Sequence, residues 1–379
     1  MSDESPWWEG ERARLLQIGG AHLSAYVYHM PSIRRRCREL KGLNSVSRVW
    51  YAMKANSHPR VLQTAVEEGL DLECVSLPEL RLAQSVPGIT PKRILFTPNF
   101  APRAEYQAAL EAGVVLTLDG LYPLREWTDL FRGAEIILRF NPERPRGHHR
   151  HVETAGPRAK FGIPLSEADE AAELVKAAGA TVVGLHAHAG SGVDDPTHWG
   201  ELARVLAEIA PHFPEATVFN LGGGLGVPRQ RGDHRIDFVA LDAALAAFHA
   251  DFPDYTLWLE PGRYVIAEAG VLLAQVTQVK YAHGQRFIGV ATGMNSLIRP
   301  ALYDARHEIF NLTRLDEEPE GLASVVGPIC ESADALGVDR MLPKAEEGDV
   351  MLIATGGAYG HVMASRYNLR EPAEEFVLD

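Results

Sequence analysis

Short apolar runs alternate with helix-like stretches along the first two thirds of the chain. The apolar runs predict strands at residues 48–54, 71–76, 93–97, 114–119, 135–140, 181–188, 217–221 and 256–260. Helical stretches are predicted at residues 60–68, 78–85, 101–112, 166–178, 198–213 and 237–252. A strand–helix unit that occurs eight times is typical of a closed parallel (β/α)8 barrel of the TIM type. An open doubly wound sheet is the alternative, and the barrel is favoured because unusual polar residues follow the strands.

The pattern changes after the last of these strands. Runs rich in Val, Ala and Ile follow at residues 264–279, 285–292 and 349–354, and they indicate a β-rich domain. An early run at residues 25–29 also predicts a strand, which could pair with that domain. The predicted organisation is an N-terminal segment that joins the β-domain (1–30), the barrel (31–265) and the C-terminal β-domain (266–379).

Composition narrows the classes of function. The 379 residues are 46% hydrophobic, which is enough to bury a large core, and the formal net charge is -13. Because Lys and Arg are not in excess, we expect no nucleic-acid partner. No apolar run has the length of a signal peptide core or of a membrane helix, so we expect a cytoplasmic protein with no membrane contact.

Cysteine and histidine spacing gives no metal or disulfide motif. Cys37, Cys74 and Cys330 are scattered without zinc or disulfide spacing, so each is predicted to be a free thiol. Three histidines, at positions 148, 149 and 151, lie in a loop rich in Pro, Gly and Arg, and we predict no metal site there.

Lys54 stands at the end of the first predicted strand, and turn residues follow it. A lysine in this position is either an exposed strand terminus or a reactive amine. Most exposed lysines need no functional explanation, so the choice depends on which residues follow the other strands.

The strand predicted at residues 181–188 carries His186 and His188 on the same side, and Ser191 follows it. An imidazole can stack on a flat ring, and a serine hydroxyl can donate to an anion. Either histidine could instead be a packing residue.

Gly222, Gly223 and Gly224 follow the next strand. Their backbone N–H groups could surround a phosphate, or the glycines could simply form a tight turn of the barrel. The run fits neither the dinucleotide-binding fingerprint nor the P-loop pattern.

Glu260 and Arg263 follow the last barrel strand. They could form an ordinary salt bridge. If the ligand is a phosphorylated pyridine, Glu260 could keep the ring nitrogen protonated and Arg263 could bind a carboxylate or phosphate.

The β-rich part has its own candidates. Arg299 and Tyr303 are four residues apart and would share a helical face, where they could bind a carboxylate. Cys330 has Pro, Ser and acidic neighbours, among them Glu331, which favours a reactive or substrate-facing thiol over a core position. Tyr359 stands among glycines.

Together and in this order, these motifs resemble the fold-type III pyridoxal-phosphate decarboxylases over nearly the whole chain. The matching segments are residues 51–56, 186–191, 222–224, 260–263, 299–303, 330–332 and 357–359. The resemblance implies an alanine-racemase-like barrel, a C-terminal β-domain and pyridoxal 5'-phosphate as cofactor. It also implies a homodimer in which Cys330 and Glu331, with Asp334, reach the active site of the neighbouring subunit.

The resemblance further implies a role for each matched residue. Lys54 would hold the cofactor covalently, His188 would stack on its ring, Glu260 would keep the ring nitrogen protonated and Cys330 would donate a proton. The implied cofactor-phosphate contacts are Ser191, Gly222, Gly223, Gly224, Arg263 and Tyr359. The implied substrate contacts are Arg263, Arg299, Tyr303, Glu331 and Tyr359.

The implied substrate is an amino acid with a second charged centre, and meso-2,6-diaminopimelate is favoured because its distal end carries an amine and a carboxylate. Asp304 and Arg306 depart from the family's usual pattern. Ornithine, D-lysine, D-ornithine or a secondary-metabolite amino acid therefore stay open as substrates. A non-catalytic cofactor-binding regulator is a further alternative, which the presence of both Lys54 and Cys330 disfavours.

Overall fold

The computed structural model describes residues 5–142, 156 and 159–379. Its strands are β1 (Ser24–His29), β2 (Arg48–Ala52), β3 (Asp71–Cys74), β4 (Ile94–Phe96), β5 (Val115–Leu118), β6 (Glu135–Asn141), β7 (Ile163–Pro164), β8 (Thr181–Ala187), β9 (Val218–Asn220), β10 (Thr256–Leu259), β11 (Gly270–Ala282), β12 (Gln285–Val290), β13 (Ile309–Asn311), β14 (Gly321–Val326), β15 (Ala335–Leu342), β16 (Val350–Ile353) and β17 (Glu374–Leu378). Its α-helices are α1 (Trp7–Gly10), α2 (Arg12–Ala21), α3 (Met30–Lys41), α4 (Pro59–Glu67), α5 (Leu77–Gln84), α6 (Arg103–Glu111), α7 (Tyr122–Glu126), α8 (Ala168–Ala178), α9 (His198–Ile209), α10 (Phe238–Asp251), α11 (Arg263–Ile266) and α12 (Arg299–Tyr303).

The central strands close into a parallel barrel. The order is β2-β3-β4-β5-β6-β8-β9-β10, and β10 pairs in parallel with β2, which closes the ring within the described chain. Trp50, Leu95 and Ile137 have no exposed surface and form a core cluster of the barrel. The predicted barrel is confirmed, and the open doubly wound sheet is excluded.

The helices of the barrel lie where the sequence predicts them. Asp237 begins α10, because its Oδ1 accepts hydrogen bonds from the backbone N of Val239 (2.9 Å) and Ala240 (3.0 Å). Gly179 follows α8 with a φ of 67° and ends that helix in the left-handed conformation that glycine tolerates. The predicted helix 198–213 is shorter as an α-helix, because α9 ends at Ile209 and a 3-10 turn follows.

The first barrel strand is also shorter than predicted. The expected strand 48–54 ends at Ala52, and Met53–Ala55 form a 3-10 turn. Lys54 therefore lies in the turn after the strand and not in the strand itself.

The β-rich part contains β1 and β11–β17. Its main order is β13-β16-β11-β12-β14-β15, and β1 pairs antiparallel with β11 and parallel with β17. Buried side chains of β1, β11 and β16, such as Val27, Leu273 and Leu352, belong to one core cluster. The predicted run 264–279 is not one strand, because α11 occupies its beginning and β11 starts at Gly270.

The chain forms two compact units that are each discontinuous in sequence. One contains residues 34–227 and 234–264, and the other contains the residues up to 33 together with 228–233 and 265–379. The sequence-based domain boundaries at residues 30 and 265 stay predictions.

The cysteines are free thiols, as predicted: Cys37 and Cys74 are buried and Cys330 is exposed. No helix in the described part of the chain is long and apolar enough to cross a bilayer. The histidine loop at positions 148–151 lies outside the described residues.

Candidate active site

Lys54 lies in the turn that follows β2, and its amine is paired with a buried carboxylate. Lys54 Nζ donates to Oε2 of Glu73 at 3.2 Å. Glu73 lies on β3 and has no exposed surface. Ala52 and Glu73 are neighbours in the parallel ladder. The adjacent ends of β2 and β3 therefore bring the amine and the carboxylate together.

The pKa of Glu73 is shifted toward neutral pH. Burial raises the pKa of Glu73 to about 7; Lys54 opposes this change, and the negative charges of Glu260 and Glu79 support it. Glu73 was not among the site residues predicted from the sequence. The available signal was a carboxylate at the centre of the predicted strand 71–76, which follows the strand that ends near Lys54.

A second buried carboxylate, Glu260, has the opposite tendency. Asn220 Nδ2 donates to Glu260 Oε1 at 2.7 Å, and His186 Nε2 lies 3.5 Å from Oε2. Burial opposes ionisation of Glu260, but favourable interactions outweigh it and lower the pKa of Glu260 to about 2. These interactions are the charge and hydrogen bond of His186, the charge of Lys54 and the hydrogen bond of Asn220. Two nearby carboxylates with pKa values shifted in opposite directions are typical of sites that divide acid and base roles.

The end of β8 therefore uses its two histidines differently. His186 contacts Glu260. His188 lies just past the strand, and burial, followed by the positive charges of Arg139, Lys54 and His186, holds its pKa well below the usual value. His188 is thus a neutral imidazole, a flat uncharged surface at the end of the strand. Neither Asn220 nor Arg139 was among the predicted site residues.

The glycine run after β9 is required by the backbone itself. Gly222 and Gly224 have φ values of 64° and 97°, which other residues rarely adopt. A Cβ on Gly223 would overlap the carbonyl oxygen of Glu260, and a Cβ on Gly224 would overlap that of Gly190. The tight-turn interpretation is therefore correct, and a phosphate contact by the same N–H groups stays a prediction.

Ser191 and Arg263 meet on the same unit. Arg263 Nη2 donates to Ser191 Oγ at 3.2 Å. A hydroxyl and a guanidinium side by side can bind an anion together. The structure thus connects two predicted site residues that follow different strands of the barrel.

In the β-rich unit, Arg299 and Tyr303 are the first and last residues of α12, so the predicted helical spacing is correct. Arg299 Nη1 donates to the carbonyl oxygen of Ala358 at 3.3 Å. The next residue, Tyr359, has a φ of 56°. Arg299 therefore contacts the segment that presents Tyr359.

Cys330 and Glu331 are both exposed. The backbone N of Cys330 donates to Asn368 Oδ1 at 2.7 Å. Asn368 was not among the predicted site residues, and it fixes the backbone at the thiol.

Asp334 does not reach a neighbouring subunit as expected. Only 4% of its surface is exposed. Its carboxylate accepts hydrogen bonds from the backbone N of Met294 (2.6 Å) and Ile329 (2.7 Å). Asp334 therefore holds the Cys330 segment within its own unit.

Asp304 has a conformational explanation. It ends α12 with a φ of 51°, the left-handed conformation in which a short polar side chain is tolerated. Its departure from the usual family pattern is thus accounted for by the helix end. Arg306 is exposed, and nothing in the structure explains its presence.

The barrel residues form a donor set with a definite chemistry. They provide an amine beside a buried carboxylate, a neutral imidazole, a carboxylate held ionised, and a glycine turn near a hydroxyl–guanidinium pair. An amine can bind an aldehyde, an ionised carboxylate favours a protonated ring nitrogen, and the turn leaves no space for side chains where a phosphate would approach. This set fits a phosphorylated pyridine aldehyde.

Residues 30–267 match the family model for the pyridoxal binding domain of the pyridoxal-dependent decarboxylases. The match covers more than half of the chain, and the chain belongs to this family. The resemblance seen in the sequence is confirmed, and pyridoxal 5'-phosphate is the cofactor of the family.

Several relatives and solved structures that are similar to the chain are named diaminopimelate decarboxylase. The chain is 37% identical over 357 residues to the diaminopimelate decarboxylase of Methanothermobacter thermautotrophicus, covering 91% of the chain and 83% of the relative. It is 34% identical over 366 residues to the diaminopimelate decarboxylase of Archaeoglobus fulgidus, covering 93% and 87%. The crystal structure of diaminopimelate decarboxylase from Helicobacter pylori with L-lysine superposes with a TM-score of 0.87 at 31% identity, covering 94% of this chain and 91% of that one.

Proposed function

We propose that the protein removes a carboxylate from meso-2,6-diaminopimelate and yields L-lysine and CO₂. The observation that carries the proposal is the 30–37% identity, over about nine tenths of the chain, to enzymes named diaminopimelate decarboxylase. The ionised Glu260 supports decarboxylation, because a carboxylate at the ring nitrogen favours the protonated pyridine that accepts electrons.

The amine of Lys54 is the proposed attachment point of the cofactor. Pyridoxal 5'-phosphate, when bound, accepts the electron pair that departing CO₂ leaves behind. Glu73 Oε2, at 3.2 Å from Lys54 Nζ, is close enough to take or return a proton at that nitrogen. A pKa of about 7 for Glu73 suits such a role at neutral pH.

Other barrel residues hold the cofactor in this proposal. The neutral ring of His188 stacks on the cofactor ring without placing a second positive charge beside it. The phosphate contacts are Ser191, Gly222, Gly223, Gly224, Arg263 and, from the β-rich unit, Tyr359. The hydrogen bond between Ser191 and Arg263 pre-orients both groups for one anion.

Substrate recognition is assigned to charged groups that match the two ends of the diacid. Arg263, Arg299 and Tyr303 bind the distal carboxylate. Glu331 binds the distal amine, and Cys330 returns a proton to the carbon that loses CO₂.

We also propose a homodimer in which Cys330 and Glu331 serve the active site of the second subunit. Both residues are exposed, so they are accessible to a second copy. Mixing subunits with Lys54→Ala and subunits with Cys330→Ser tests this arrangement, because shared sites restore activity that neither variant has alone. Mixed dimers without any activity contradict shared sites. A cytoplasmic location stays a prediction.

CO₂ release from a panel of amino acids tests the substrate. The panel contains meso- and LL-diaminopimelate, L- and D-ornithine, and L- and D-lysine. We expect release from meso-diaminopimelate with L-lysine as product. No release from it, with release from another member, replaces the proposed substrate. Tight cofactor binding without release from any member contradicts the proposed substrate and leaves a secondary-metabolite amino acid or a non-catalytic regulator.

A further inference from the structure

A carboxylate bridge supports the segment that carries Tyr359. Glu375, on β17, accepts a hydrogen bond at Oε1 from Tyr28 Oη of β1 at 2.7 Å. The other oxygen, Oε2, lies 3.2 Å from His361 Nδ1. His361 follows Tyr359 by two residues. One side chain therefore connects two strands of the sheet to the segment just after Tyr359.

The backbone at Tyr359 needs such support. A φ of 56° is the left-handed region, which is unfavourable for an aromatic residue and persists only where the surroundings impose it. At the next residue, Gly360, a Cβ would lie 2.7 Å from Tyr26 Oη. The ring of Tyr26 also meets His361 edge-on, with centroids 5.9 Å apart and an angle of 87° between the planes. The chain after Tyr359 is thus fixed against Tyr26 and Glu375.

The residue before Tyr359 is held independently. Arg299 Nη1 donates to the carbonyl oxygen of Ala358 at 3.3 Å. Loss of the Glu375 bridge would release the segment on one side only, so the segment should stay folded while the aromatic side chain loses its fixed direction.

We propose that Glu375 is a positioning residue that aims the hydroxyl of Tyr359 at the cofactor phosphate. The inference rests on the phosphate contact given to Tyr359 in the proposed function. Glu375 acts through His361 and the backbone of residues 359–361.

The chain offers a matched control on the same strand. Glu374 is adjacent to Glu375, and its Oε1 lies 3.1 Å from His22 Nδ1. Successive residues of a strand point to opposite faces, so the Glu374 pair and the Glu375 pair lie on different faces of the sheet. The two carboxylates share residue type, strand and a histidine partner, and only the Glu375 pair includes the segment after Tyr359.

The test measures the dissociation constant of pyridoxal 5'-phosphate with the cofactor-free full-length protein, together with its melting temperature. Glu375→Gln is expected to weaken cofactor binding about tenfold, the scale of one charge-assisted hydrogen bond. Glu374→Gln is expected to leave the constant unchanged. Equal constants for the two variants overturn the proposal.

A double-mutant cycle separates positioning from general loss of structure. In a Tyr359→Phe background the hydroxyl is absent, so Glu375→Gln should have little further effect on cofactor affinity. An undiminished effect in that background overturns the proposal, and so does a Tyr359→Phe protein that binds the cofactor as the wild type does. If Glu375→Gln fails to fold, Tyr28→Phe serves instead, because it removes only the hydroxyl that donates to Glu375. This variant is expected to weaken cofactor binding less than Glu375→Gln would. Unchanged cofactor affinity in Tyr28→Phe then overturns the proposal.

The outcome is independent of the substrate. A wild-type protein that binds the cofactor but releases no CO₂ from meso-diaminopimelate contradicts the proposed function and leaves this cycle valid. A wild-type protein that decarboxylates the diacid, with unchanged cofactor affinity in Glu375→Gln, contradicts the positioning role alone.

Discussion

Lys54 Nζ lies 3.2 Å from Oε2 of Glu73, a carboxylate with no solvent-exposed surface. Glu73 lies on β3 and Lys54 lies in the turn after β2, so the register between these two adjacent parallel strands brings the pair together. Transfer of a proton between Glu73 and Lys54 changes the charge of the Lys54 amine, which is the proposed attachment point of the cofactor.

Lys54→Ala is expected to abolish covalent attachment of the cofactor. The absorbance band of the attached cofactor should be absent, and borohydride should fix no cofactor to the protein. Cofactor that is still fixed by borohydride, in a folded and purified variant, contradicts the assignment of Lys54.

Glu73→Gln is expected to change how stability depends on pH. The pKa of Glu73 is about 7 in the folded protein against a usual value of 4.5, so the folded chain binds a proton in this window that the unfolded chain has lost. The contribution of Glu73 to the free energy of unfolding of the wild type therefore falls as the pH rises from 4.5 to 7. Glutamine cannot ionise, so the melting temperature of the variant relative to wild type should rise between about pH 5 and about pH 8.

Glu111→Gln provides the comparison for that experiment. Glu111 is exposed on α6, where its Oε1 accepts a hydrogen bond from Gln107. The melting temperature of the Glu111→Gln variant relative to wild type should stay nearly constant over the same pH range. Parallel pH curves for Glu73→Gln and wild type contradict the raised pKa of Glu73.

Glu260→Gln is expected to lower kcat by about 100-fold or more, the scale of a lost electrostatic contact to the reacting group. The amide keeps the shape of the side chain and a contact with Asn220, while the negative charge is lost. Cofactor affinity should change much less than kcat. Steady-state kinetics with a parallel cofactor titration check this, and an unchanged kcat removes Glu260 from its proposed role.

Glu331→Ala and Arg299→Ala are expected to raise KM for meso-diaminopimelate by about 10-fold to 100-fold, since each removes a charge-assisted contact to the distal end. The dissociation constant of the cofactor should change less than KM in both variants. Because Arg299 also contacts Ala358, the Glu331 variant is the cleaner of the two. Unchanged KM in both variants removes these residues from substrate binding.

The barrel could be predicted because its strands are short, buried and mostly apolar, and because helices separate them regularly. The glycine turn and Glu260 were also visible, since each follows a predicted strand directly. Glu73 was missed because its importance comes from the register between β2 and β3, which places it beside Ala52. That register is not readable from either strand alone.

Asp334 shows the opposite error. The family resemblance implied a role for Asp334 at a neighbouring subunit, but its hydrogen bonds with the backbone of Met294 and Ile329 hold it inside its own unit. Burial of a polar side chain depends on which backbone groups need an acceptor, and one of these donors, Met294, is 40 residues away along the chain. The predicted strand extended to Lys54, but β2 ends two residues earlier at Ala52, because residue type alone does not locate a strand end.

The pairing of β1 has a consequence for the order of events during synthesis. In the sheet, Ala25 of β1 pairs with Leu273 of β11 on one side and with Glu374 of β17 on the other. An emerging chain exposes β1 first, while both of its partners are still to be made. All the barrel strands are complete before either partner exists, so the barrel can assemble ahead of the sheet that presents Tyr359 and Cys330. The two edges of β1 stay open during that interval and are a site where a nascent chain could pair wrongly.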